Sequence, residues 1–172
     1  RRNGSDGTEM NNRLRGNRFL KPNLTNGYDV DNKWDWDYGT GYGTGYSVNT
    51  NTISWIFKRA PSFFDVVVYQ GNGGTNTIGH NLGVAPEMIW IKNEGASGEG
   101  WHIGTDFTAS SCIRAYDFSS SQFGTGYAST KFVQQPTATN FYMGSDTSVG
   151  ASNYIYVAYL FASLDGVSKV GS

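Results

Sequence analysis

Short apolar or alternating runs recur roughly every 8–12 residues along this chain, divided by tracts of Gly, Asn and Ser. That rhythm constrains the fold more than any other feature. Alternation with a period of two places successive side chains on opposite faces of a pleated strand, and no run sustains the 3.6-residue period of an amphipathic helix. The runs are Ile53–Phe57, Phe63–Gln70, Thr75–Ile78, Pro86–Lys92, Trp101–Gly104, Ser111–Phe118, Lys131–Gln135, Asn140–Met143 and Tyr154–Phe161. Gly, Asn, Ser and Thr make up about two-fifths of the residues, while the good helix formers Ala and Leu are scarce. The sequence therefore predicts an all-β chain of antiparallel, sandwich-like modules with little or no helix.

The pattern also repeats. When residues 53–66 are set against 157–170, Ile53 meets Val157, Trp55 meets Tyr159, Ile56 meets Leu160, Phe57 meets Phe161, Phe63 meets Val167 and Val66 meets Val170. The match runs through a strand, a loop and the next strand, as duplication of a unit of roughly 100 residues would produce. On this reading residues 1–62 are the C-terminal half of a first module and 63–167 a complete one. Residues 168–172 then begin a further module, or form a strand donated to another copy. The start at Arg1-Arg2-Asn3-Gly4, without an initiator Met, fits a piece of a longer or processed polypeptide.

Charge and cysteine content point away from several partners. Thirteen Lys and Arg against fourteen Asp and Glu leave a net charge of −1, with no basic field for nucleic acid. No run approaches the ~18 apolar residues of a membrane-spanning helix. The lone Cys112 has no disulfide partner, and one Cys with two His offers no zinc spacing. Cys112, beside Ile113, reads as a small buried hydrophobe.

Two segments invite a functional reading. Asp29, Asp31, Asp35 and Asp37 could supply oxygens to Ca²⁺, but Lys33 occupies a ligand position and no Gly or closing Glu follows, so no EF-hand loop is formed. As a strand, residues 34–37 would put Trp34 and Trp36 on one face and the two carboxylates on the other. The Gly-Tyr tract 39–46 lacks the strand–helix unit a dinucleotide loop requires. Trp34, Trp36, Tyr38, Tyr42 and Tyr46 instead form an aromatic set suited to packing against another subunit, or to stacking on a glycan. Trp55 and Trp101 read as core residues. His80, in His80-Asn81-Leu82-Gly83, reads as a turn cap bonded to backbone. Glu9, Glu87, Glu94 and Glu99 are scattered with no enforced carboxylate pair, and no nucleophile elbow is present, so no catalytic residue is assigned.

The block from Ala60 to Gly73, running into Ile78–Lys92, and the later Tyr156–Ala162 with Gly166–Ser172, resemble a β-rich module of tail-associated and fibre-like virion proteins of tailed bacteriophages. Tandem copies there stand beside laminin-G/concanavalin-like domains. The resemblance covers 63–172 well, and 13–62 as the rear of a preceding copy. It implies a structural protein at the surface of an extracellular particle, a tail fibre or surface appendage, without cofactor. Its partners would be copies of itself and other virion proteins. Assembly would proceed through strand edges and aromatic patches, one subunit's C-terminal strand completing the next subunit's N-terminal half. A lectin-like module binding a host receptor glycan is the alternative. The chain departs from the family pattern by stopping at Ser172, where family members run on into another turn.

Overall fold

A computed structural model of the chain describes residues 2–3, 7–31, 34–36, 43–44, 53–108, 111–117, 123–124 and 128–171. The fold is nearly all β. In chain order the strands are β1 (Arg2–Asn3), β2 (Gly7–Thr8), β3 (Met10–Asn11), β4 (Arg18–Leu20), β5 (Asp29–Val30), β6 (Trp34–Asp35), β7 (Gly43–Thr44) and β8 (Phe64–Gln70). They continue with β9 (Asn76–Gly79), β10 (Met88–Asn93), β11 (Trp101–Thr108), β12 (Ser111–Asp117), β13 (Phe123–Gly124), β14 (Phe132–Gln134), β15 (Asn140–Met143) and β16 (Ile155–Phe161). Helix among the described residues amounts to a 3-10 turn at Arg13–Arg15 and the single turn α1 (Ala128–Lys131).

The centre is a six-stranded antiparallel sheet in the order β13-β12-β11-β10-β16-β8. Its middle is legible in the side chains. β16 is apolar on both faces, as a strand covered on both sides must be. Tyr156, Ala158 and Leu160 join Ile89 and Ile91 of β10 on one face. Val157 and Tyr159 join Phe64, Val66 and Trp101 on the other. The three-stranded sheet β14-β15-β9 covers the first face with Ile78, Phe132, Phe141 and Met143. The small sheet β3-β4-β5 covers the second, its Leu20 seated in the Trp101 cluster.

Polar bonds fasten that outer layer. The Trp101 indole N–H donates to the Lys21 carbonyl at 3.2 Å, and Asn12 Nδ2 donates to the Tyr159 hydroxyl at 3.1 Å. The buried Lys92 ammonium donates to the Thr25 carbonyl at 3.1 Å and to that of Glu99. The backbone N–H of Tyr28 reaches the Glu94 carbonyl at 2.9 Å. Residues 10–30, which the repeat assigns to a first unit, thus share a core with the strands of the second.

The strand expectations hold for β8, β9, β10, β11, β12, β14, β15 and β16 within a few residues. The first run does not. Residues 53–59 lie outside every strand, and Trp55, expected in the core, is 72% exposed, whereas Trp101 is fully buried. Alternation gives a segment two faces, but a strand also needs a neighbouring edge to satisfy its backbone, and among the described strands none takes 53–57 into its ladder.

Candidate functional site

The run outside the strands leaves four large apolar side chains in water. Ile53, Trp55, Ile56 and Phe57 are 63%, 72%, 63% and 54% exposed. Adjoining apolar side chains left in water at this scale mark contact surfaces. The run is anchored where it approaches β8. The Phe57 ring packs on those of Phe64 and Phe63, with centroids 5.5 and 6.4 Å apart, and Arg59 Nε meets the buried Asp65 carboxylate at 2.5 Å. The other Asp65 oxygen accepts the Asn81 N–H at 2.8 Å, which ties the approach to the next turn.

Between the run and β8 lies a tight turn. Ala60 and Phe64 exchange both backbone bonds (2.9 and 3.1 Å), the Phe63 N–H also reaches the Ala60 carbonyl at 3.2 Å, and Ser62 sits at φ 59°. One sequence repeat later the same turn recurs. Leu164 and Ser168 exchange both backbone bonds (3.1 and 2.9 Å), the Val167 N–H reaches the Leu164 carbonyl at 2.9 Å, and Gly166 sits at φ 72°. The internal match therefore extends from side-chain type to backbone conformation, down to the left-handed residue in the same place. The residues after this second turn, up to Gly171, are half-buried or exposed and form no strand, and Val167 is 66% exposed.

The tail also walls a cleft of about 400 Å³ lined by Pro86, Glu87, Asp106, Phe107, Gln135 and Val170. The Glu87 carboxylate is turned to the tail, accepting the Ser163 N–H at 2.9 Å and hydroxyl at 2.8 Å. Asp106 holds φ 52° within β11, a conformation that sequence reasoning had no signal to find.

Polar clusters elsewhere serve the backbone. His80 is buried and engaged at both ring nitrogens: Nε2–H donates to the Thr137 carbonyl at 3.1 Å, and Nδ1 accepts the Leu82 N–H at 3.2 Å. Burial holds its pKa below the usual histidine value, against the pull of the Thr137 bond and the nearby Asp65 charge. This is the turn-capping arrangement expected from sequence. Lys131, also buried, donates to Asp146 Oδ1 at 2.8 Å and to Ser148 Oγ, and Ser148 N–H reaches the same carboxylate at 2.9 Å. Burial works to raise the Asp146 pKa, but these bonds outweigh it and bring the group down to about 2. Glu94, buried under the N-terminal layer, is ion-paired with Arg15; desolvation raises its pKa while the Arg15 charge opposes the rise.

The acidic-aromatic segment is described in part. β6 pairs with β7, Trp34 opposite Thr44 and Asp35 opposite Gly43. Trp36 is half-buried, its indole N–H donating to the Gly16 carbonyl at 2.9 Å and its ring 5.9 Å from the Arg13 guanidinium. Asp29 is exposed and faces Lys21 at 3.7 Å, and the Asp31 N–H bonds the Asn17 carbonyl at 3.0 Å. No group of three or more His, Cys, Asp or Glu side chains stands together among the described residues. Asp37, Tyr38, Tyr42, Tyr46 and the side chains of Trp34 and Cys112 lie outside them. No helix among the described residues is long and apolar enough to cross a membrane.

The chain belongs to the family described as a domain of unknown function, DUF7483, whose model matches residues 5–172. No curated protein and no solved structure matches it.

Proposed function

For this member of the DUF7483 family, we propose a structural role in the particle of a tailed bacteriophage, as part of a tail, fibre or surface appendage. The chain would work by self-assembly through strand edges and aromatic patches, with copies of itself and other virion proteins as its partners. The observation that carries the assembly reading is the solvent-facing run Ile53, Trp55, Ile56 and Phe57, which has strand patterning, lies outside every described strand and leaves four large apolar side chains in water. Exposed apolar side chains grouped in this way mark a surface for contact with another chain. The near-neutral net charge of −1 leaves little long-range repulsion between copies. The phage assignment rests on the resemblance of residues 60–92 and 156–172 to tail and fibre modules.

Sedimentation velocity over a wide concentration range tests the assembly. Wild type should associate with rising concentration, and Trp55→Asp should stay monomeric at wild-type thermal stability; a monomeric wild type refutes the reading. Mass spectrometry of purified particles from the encoding phage should find the chain, and its absence would remove the virion role. Glycan-array binding that vanishes in Trp34→Ala would replace assembly by receptor recognition.

A further inference from the structure

Resting on the assembly reading above, we infer that the outer edge of β8 pairs with the same edge of a second copy, antiparallel and two-fold symmetric about Val68. The central sheet ends at β8, and no described strand continues it. Bonds at the two ends of β8 give the direction of its backbone groups. The Phe63 carbonyl accepts from Ala162 at 3.1 Å, and the Gly71 N–H donates to the Tyr154 carbonyl at 3.0 Å. Asp65, Val67 and Tyr69, in step with these, therefore aim their backbone groups at β16. Phe64, Val66, Val68 and Gln70 aim theirs at the outer edge. Natural proteins blunt such edges with Lys, Pro or a bulge. β8 reads Phe-Asp-Val-Val-Val-Tyr-Gln and keeps an unbroken register with β16 from Phe64 to Gln70.

Part of this edge is already filled, and what stays open is complementary to itself. Phe64 exchanges both its backbone bonds with Ala60, at 2.9 and 3.1 Å. The Val66 N–H donates to Asp65 Oδ1 at 2.9 Å, and the Gln70 carbonyl accepts from Asn76 Nδ2 at 3.0 Å. The Val66 carbonyl, both groups of Val68 and the Gln70 N–H have no partner among the described residues. About a two-fold axis at Val68, that residue faces itself, and Val66 faces Gln70 of the second copy. Each Val68 then gives one bond and takes one, and each Gln70 N–H reaches the opposite Val66 carbonyl. The one exchange left unmade is Val66 N–H to Gln70 carbonyl, and both those groups are already bonded within their own chain. Neighbouring registers fit worse. Setting Val66 against Val68 turns a Val68 carbonyl to the occupied Val66 N–H, and setting Val68 against Gln70 turns a Val68 N–H to the occupied Gln70 carbonyl. The length fits as well: the second strand ends at its Gln70, opposite Val66, short of the place Ala60 fills beside Phe64. Val67 and Val68, half-buried where Phe64–Val66 are buried, would be covered by the second copy. Phe57 packs on Phe64 at one end of this edge, so the exposed run flanks the contact. Because both copies use the same surface, the contact is isologous and closes as a dimer.

Amide exchange and single-cysteine cross-linking test this in the full chain. Exchange of the wild type is read residue by residue over the concentrations used for sedimentation. Val68→Cys and Val67→Cys are each oxidised mildly in a Cys112→Ser background. The expected result is association that begins with a dimer, with exchange at the Val68 and Gln70 amides slowing as it forms. Facing residues of an antiparallel pair lie within bridging distance, so the interchain Val68→Cys bridge should be roughly ten times as abundant as the Val67→Cys one, or more. Association without slowing at Val68 and Gln70, or with no preference for the Val68→Cys bridge, overturns the β8 pairing and leaves assembly standing. Val68 and Gln70 amides equally protected at every concentration would show the edge covered within its own chain, and would overturn the inference. A wild type monomeric at all concentrations overturns both.

Discussion

Replacing Trp101 by Phe would measure how firmly the N-terminal layer is fixed to the central sheet. Trp101 is fully buried, stacked against Tyr159 at 6.1 Å, and its N–H is bonded to Lys21 of the overlying layer. The smaller ring leaves a void of roughly 40 Å³, which at about 24 cal/mol per Å³ costs ~1 kcal/mol. The Lys21 carbonyl also loses its donor, a further ~1 kcal/mol at a half-buried position. The total of about 2 kcal/mol corresponds to a fall in Tm of roughly 4–8 °C for a protein of this size. Urea unfolding gives the free energy. Native-state amide exchange gives the location: opening should quicken at residues 19–28 and remain unchanged in β15 and β9. A Tm within about 1 °C of wild type, or exchange that quickens equally in all three sheets, would refute the layer account. Tyr159→Phe, which removes only the hydroxyl accepting from Asn12, should cost the smaller ~0.5–1.5 kcal/mol of a single hydrogen bond.

Three further outcomes follow from the packing and the charges. A Cβ at Gly104 would stand 2.8 Å from Phe132 Cε1 and 3.0 Å from Phe107 Cε1, so Gly104→Ala should destabilise by about 1–3 kcal/mol, with part of the loss recovered in Gly104→Ala/Phe132→Leu; additive urea midpoints would refute the clash. Asp146, held at about 2 against a usual 3.8, stabilises the fold above that ordinary value, and the contribution is lost as pH falls from about 4 to 2. With a third of its side chain exposed, the screened contribution is about 1 kcal/mol, so the Tm gap between wild type and Asp146→Asn should close on acidification, and a constant gap would contradict it. Ser62, at φ 59° where the matching turn has Gly166, should accept Gly with a gain of up to about 1 kcal/mol, and Ser62→Val should lose more than about 1 kcal/mol, both read from chemical unfolding.

Much of the fold was legible because its signals are local. Period-two alternation located most strands of the central sheet, and Gly-Asn tracts located turns. The run Tyr154–Phe161 located β16 in the same way. His80 was readable as a cap because its partner Leu82 is two residues away. The Lys131–Asp146–Ser148 cluster and the Arg15–Glu94 pair gave no such signal, since their members meet only after distant strands have paired. Nor did the N-terminal layer, whose Leu20 meets Trp101 across most of the first half of the chain.

Trp55 and Tyr159 mark the division most sharply. Their local patterns match position for position, yet Tyr159 is buried between β10 and β8 while Trp55 stands in water. The amino-acid sequence alone determined that each segment is able to be a strand, which of its faces is apolar, and what turn follows it. Only the tertiary structure decided which of them is one. A strand is completed by backbone bonds and side chains from neighbours remote in the chain: β10 and β8 supply them to residues 155–161, whereas 53–57 joins no ladder among the described strands.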